Sequence, residues 1–175
     1  MTEDRHKLAE ELNGIDFKEL ALQGTEIFVP NELIVGLARG KLTFRELLGV
    51  TPESIQNVTR YGYRLLEHGY NEAAAMIFDT LASLDPKIAY FRLGLGAALA
   101  GLGKKQAAKQ AFEAARALDE KELSAQYNLA VLLLEEGDTQ AASSYLAEAR
   151  AIDPGGHHPM ATMIRRLWLT HFEPA

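Results

Sequence analysis

Cysteine is absent from this sequence, so neither a disulfide nor a thiolate metal site can be built from it. That absence is compatible with a reducing cytoplasm. No apolar run approaches the ~18 residues that a membrane helix needs, and the opening stretch MTEDRHKLAEEL holds no hydrophobic signal core. The expectation is a cytoplasmic protein that is neither exported nor inserted in a membrane. Lysine and arginine form no cluster, and a net charge of -6 opposes attraction to phosphate backbones, so nucleic acid is not the expected partner. No block of like charge suggests a solvated tail. What is present, in 175 residues, is 47% hydrophobic and 24% charged side chains, enough to bury a substantial core in one soluble globular unit.

The order within that composition is periodic. Gly69, Gly103 and Gly137 lie 34 residues apart, and the same spacing relates Ala73, Ala107 and Ala141; Ala74, Ala108 and Ala142; Phe78, Phe112 and Leu146; and Asp85, Asp119 and Asp153. No insertion interrupts the register. In each unit an apolar-periodic segment runs to the glycine, and a second helical segment with paired small residues ends at the aspartate, so each unit reads as a helix hairpin. The glycines stand where the chain must reverse, a position that favours a residue tolerant of positive φ. The alanines let the two helices approach, and Phe78, Phe112 and Leu146 fill the space one turn further on. Thr51 followed by Pro52 marks the start of the array, because proline at the first helical position sacrifices no intrahelical donor.

The glycines of GLGAALAGLG, from Gly94 to Gly103, could suggest a phosphate loop. They fall inside and at the end of a predicted helix instead of between a strand and a helix, which favours a structural role. Ser54, Ser83, Ser124, Ser143 and Ser144 supply hydroxyls, but none sits in an activated turn, and His68 reads as a helix-end residue beside Gly69. His157 and His158 are neighbours and cannot share a helix face; with His171 farther along, no carboxylate converges on them as a metal site would require. Glu72, Glu113 and Glu148 read as solvated charges. The expectation is a binding protein with no catalytic residue, metal or cofactor.

The 34-residue period resembles the tetratricopeptide repeat family over Ile55 to Pro154. Tyr61, Leu95 and Leu129, then Gly62, Gly96 and Ala130, then Leu65, Leu99 and Leu133 follow its pattern on the first helices. The large residue usual near the start of each unit is replaced by Val58, Arg92 and Gln126. The fold implied is all-α: three tetratricopeptide helix hairpins in a short right-handed superhelix over residues 51–154, preceded by an N-terminal helical segment over 1–50. Lys7 to Leu12, Phe17 to Leu22, Asn31 to Ala38 and Leu42 to Val50 are the short helices expected there. A capping helix is expected within 155–175, where Met160, Met163, Ile164, Leu167 and Trp168 form a stripe able to cover the last hairpin.

A narrower resemblance is carried by GKLTFRELLGVTPESIQNVTRYGYRLLEHGYNEAAAMIFDTLASLDP, continued by YFRLGLGAALAGLGKKQAAKQAF. Together these look like the class II chaperones of bacterial type III secretion systems, which hold translocator proteins before export. In the repeat family, positions two, five, nine and twelve of each unit usually face the concave groove. In register these are Gln56, Thr59, Tyr63 and Leu66; Tyr90, Leu93, Ala97 and Ala100; Ser124, Tyr127, Val131 and Leu134. The resemblance implies that this groove binds an extended segment of secreted hydrophobic translocator proteins and keeps them soluble and export-competent. The alternative is a generic tetratricopeptide scaffold for protein–protein interaction. Relatives often dimerise through N-terminal helices, so Ile27, Phe28, Leu33, Ile34 and Leu37 are either a homodimer interface or a cap on the first repeat. Replacing Tyr63 or Tyr127 by alanine is expected to weaken peptide binding while leaving folding near wild type.

Overall fold

The computed structural model describes Arg45 and residues 50–173; the short helices expected before Val50 and the interface residues Ile27, Phe28, Leu33, Ile34 and Leu37 lie outside the described residues. The described residues contain seven helices: α1 (Pro52–Glu67), α2 (Asn71–Leu84), α3 (Ala89–Gly101), α4 (Lys105–Leu118), α5 (Leu123–Glu136), α6 (Thr139–Ile152) and α7 (Ala161–Phe172). α1 begins as its sequence demands: the Thr51 hydroxyl accepts from the Ser54 backbone N–H at 3.2 Å, and Pro52 enters the first turn.

The three hairpins close through one repeated piece of chemistry. Gly69, Gly103 and Gly137 take φ of 76°, 71° and 84°, a left-handed conformation that L side chains rarely adopt. At each, the glycine N–H donates to a carbonyl three residues back and the next N–H to one five residues back, as in Tyr70 N to Leu65 O, Lys104 N to Leu99 O and Asp138 N to Leu133 O, all at 2.9 Å. That pairing satisfies the carbonyls orphaned at the end of each first helix. The following helix then runs back along the first.

Every second helix is sandwiched between two first helices. α2 presents Ala74, Phe78 and Leu81 to Ile55 of α1 and to Phe91 and Ala98 of α3. α4 presents Ala108, Phe112 and Ala115 to Leu93 of α3 and to Leu129 of α5. α6 presents Ala142, Leu146 and Ala149 to Ala130 and Leu133 of α5 and to Ile164 of α7. Burying each phenylalanine contributes on the order of 1.5–3 kcal/mol. Close approach is what makes that burial complete: a Cβ placed on Gly96 would lie 2.5 Å from the Phe112 ring, and one on Gly62 would lie 2.9 Å from Phe78. Within the GLGAALAGLG stretch, Gly94 and Gly96 are therefore sites of helix contact and Gly103 is the hairpin turn, which is the structural role expected.

Two expectations are corrected by the packing. In the capping stripe Ile164 is buried, and Met160, Leu167 and Trp168 pack on the third cluster together with Phe172, but Met163 is 46% exposed. It lies on the face of α7 turned away from the stack. Glu113 and Glu148 are not plain solvated charges: Arg116 reaches Glu148 at 2.9 Å and Glu113 at 3.4 Å, and the Tyr145 hydroxyl donates to Glu113. This ties α4 to α6.

Candidate functional site

In a stack of this kind the first helices form the inner layer, and here α1 touches α3 directly and α3 touches α5. A recess of about 550 Å³ in that layer has Ile55, Gln56, Thr59, Tyr63, Ile88 and Tyr90 on its wall. Four residues that the repeat register assigned to the groove, Gln56, Thr59, Tyr63 and Tyr90, thus meet around one space. The remaining eight do not line it. Leu66 and Ala100 pack against the first and second core clusters, and Tyr127 and Leu134 against the third. Ala97, Ser124 and Val131 are half-buried along α3 and α5, and Leu93 is only 7% exposed inside the second cluster.

The two tyrosines divide the labour. Tyr63 stacks edge-on against Phe78 at 4.9 Å between ring centroids and lies 4.8 Å from Tyr90. Its hydroxyl donates to the Tyr90 carbonyl oxygen at 3.4 Å. Burial first, and then the neighbouring Tyr90, push the Tyr63 phenol far above its ordinary value, so it remains a neutral hydrogen-bond donor. Tyr90, by contrast, is 47% exposed. Thr59 is 9% exposed, and its hydroxyl is spent on the Ile55 carbonyl at 2.7 Å, so it presents a methyl group to the recess. Because Tyr63 is also part of the core, Tyr63→Ala would cost stability as well as contact, contrary to the expectation from sequence.

The chemistry of this wall is that of holding. Ile55, Ile88 and Phe91 supply apolar surface, the Gln56 amide can pair with a peptide backbone, and Arg45 and Arg60 stand on the wall as cations. Arg45 is itself anchored to the buried Asp85, with Nε 3.5 Å from Oδ2. Among the described residues on the wall there is no serine, histidine or carboxylate. Ile88 and Phe91 escaped the register argument because they belong to the turn before α3 and to its third residue; the signal was a lone isoleucine between two hairpins. His157 and His158 lie in the loop before α7, the first exposed and the second half-buried, and their backbone N–H groups donate to Asp153 at 3.1 and 2.8 Å, which holds its carboxyl below the usual value. Among the described residues no group of three or more His, Cys, Asp or Glu is placed to hold a metal ion, and no helix is long and apolar enough to cross a membrane.

Comparison with known proteins finds the same fold. The tetratricopeptide repeat family matches residues 123–155. No curated protein matches the sequence. Among solved structures, the type III secretion translocator chaperone SycD of Yersinia enterocolitica is 22% identical, with a TM-score of 0.68 over 74% of this chain and 98% of that one. A type III secretion complex from Aeromonas hydrophila gives 24% identity and a TM-score of 0.69 over 79% of this chain and 90% of its own. PcrH, a protein of Pseudomonas aeruginosa, in complex with the chaperone binding region of PopB is 26% identical, with a TM-score of 0.62 over 68% of this chain and 98% of that one. The fold is that of the tetratricopeptide secretion chaperones.

Proposed function

We propose that this chain is a cytoplasmic chaperone of a type III secretion system, which binds an extended segment of a hydrophobic translocator protein along its inner face and catalyses no reaction. The observation that carries the reading is the recess walled by Gln56, Tyr63, Ile88 and Tyr90 on the inner layer. At about 550 Å³ it has room for more than one apolar side chain of an extended segment, with polar groups on its wall for the peptide backbone. PcrH, which shares the fold, is held with the chaperone binding region of PopB in one structure and with that of PopD in another, which supports a segment of a partner protein as the ligand here. Cargo with long apolar segments aggregates when free; anchoring one extended stretch to a carrier of net charge -6 keeps the pair soluble and ready for export. On this reading residues 51–154 bind, 155–175 cap the array, and 1–50 supply a first-repeat cap or a homodimer interface.

The test is affinity capture from the native cytoplasm with the wild-type chain and with a Gln56→Ala, Tyr90→Ala double variant, both residues being exposed and outside the core. Retention by wild type of a secreted protein with long hydrophobic segments, lost in the variant, is the expected result. Retention of the same soluble, non-secreted protein by both would instead favour a general interaction scaffold.

A further inference from the structure

Arg116 in α4 and Arg150 in α6 occupy the same place in successive 34-residue units. The surroundings of Arg116 are complete. Its guanidinium lies 5.4 Å from the Tyr145 ring centroid and 2.9 Å from Glu148, both contributed by the next second helix, α6. Tyr145 and Glu148, three residues apart, share one face of that helix. Arg150 has only half of this set: its guanidinium sits 4.8 Å over the Trp168 ring of α7, and no carboxylate pairs with it among the described residues.

The place of a next second helix, beside α6 and α7, is an open cavity of about 830 Å³ with Ala147, Arg150, Asp153, Arg165, Trp168 and Leu169 on its wall. Arg165 is likewise exposed and has no carboxylate partner among the described residues. Two carboxylates share the wall, Asp153, which accepts from the His158 and His157 N–H groups and keeps its negative charge, and Glu173, but neither forms an ion pair with Arg150 or Arg165 among the described residues. The space is within the ~300–1,000 Å³ of ordinary ligand sites. Its wall sets Ile164, Trp168 and Leu169 beside two guanidiniums that have no ion pair among the described residues.

We propose that this end of the array is a second docking site, separate from the inner face, for an amphipathic helix of a partner protein. The helix would carry a carboxylate and an aromatic or aliphatic side chain one turn apart, and it would lie beside α6 and α7 as the next second helix. Recognition follows from what Arg116 already receives: an apolar ring under the guanidinium and a carboxylate at its edge. The inference does not depend on the peptide reading of the inner face.

The chain supplies its own probe. The α6 sequence TQAASSYLAEARAI is the natural complement of Arg116, and a hydrocarbon-stapled peptide of that sequence is held helical where a free peptide of this length would not be. Binding to the full chain is read by anisotropy of the labelled peptide and by fluorescence of Trp168, the only tryptophan in the sequence. Saturable binding that changes Trp168 emission is expected. It should weaken about tenfold or more when Arg150 becomes Glu, or when Glu148 in the peptide becomes Lys, and recover when the two reversed charges are combined. Tyr90→Ala should leave it unchanged. Absence of saturable binding, equal affinity for Arg150→Glu with an unaltered melt, failure of the charge swap to restore affinity, or binding that leaves Trp168 silent would each overturn the proposal.

Discussion

Gly96 is the position at which hairpin packing can be tested most sharply. A methyl group there would meet Phe112 ring atoms at 2.5 Å, a distance that real Cβ atoms essentially never show. Forcing that contact costs about 1–3 kcal/mol by overpacking. Alanine also gains about 1 kcal/mol over glycine in a helix interior. Gly96→Ala should therefore destabilise by about 1 kcal/mol net, the difference between those two magnitudes. The sequence contains the relieved arrangement: where Gly62 faces Phe78 and Gly96 faces Phe112, the third repeat sets Ala130 against Leu146, both fully buried. In a Phe112→Leu background, Gly96→Ala should then change sign and stabilise, with a coupling of roughly 1–2 kcal/mol between the sites. Urea denaturation followed by far-ultraviolet circular dichroism, fitted with a shared slope, measures all four corners of the cycle. If Gly96→Ala stabilises the wild-type chain by the full helix-propensity gain, Phe112 yields without cost, and the small residue is not what lets the hairpin close.

Ala108 is fully buried against α3 and α5, so Ala108→Glu should lower stability by several kcal/mol, on the order of the 3–5 kcal/mol seen for uncompensated buried charge, and an unchanged urea midpoint would contradict that packing. Gly137 has open space around it but φ of 84°, so Gly137→Ala should cost about 1 kcal/mol from backbone strain alone, and a stabilised variant would show that the turn can relax. Burial first, and then Glu113, push the Tyr145 phenol up to about 12. Its folded value lies above its unfolded one, so its contribution is complete below about pH 10 and is lost as pH rises toward 12. Tyr145→Phe should flatten that part of the stability profile, measured by urea midpoints between pH 9 and 12, and an identical profile in the variant would remove Tyr145 from the account. At the inner face, Tyr90→Ala should weaken peptide binding with little change in melting, whereas Tyr63→Ala should lower both; equal melting in the two variants would place Tyr63 outside the core.

The repeat geometry was legible because its determinants are local and recur. A left-handed glycine, a pair of small residues and an aromatic at constant spacing each answer a requirement of one hairpin, and three copies agreeing in register made the reading firm. The groove was legible only in part. Register names a helix face, and Gln56, Thr59, Tyr63 and Tyr90 on that face do share one recess. It could not tell that Leu93 is buried beneath α4 and α5, that the Thr59 hydroxyl turns back on its own helix, or that Ile88 and Phe91 complete the wall. Those facts depend on where the next hairpin settles.

The charges divide in the same way. Glu113, Arg116, Tyr145 and Glu148 look like unrelated polar residues along the chain, and Arg150 and Trp168 are 18 positions apart. Sequence by itself determined that helices would form, where each would stop and which small residues would face one another, since these follow from backbone conformation and periodicity within a single unit. The tertiary structure alone decided which side chains from different units meet, because stacking adds the inter-repeat rotation and spacing that no single unit contains. That stacking gave Arg116 its tyrosine and the Glu148 carboxylate, and left Arg150 with an aromatic ring and an open cavity.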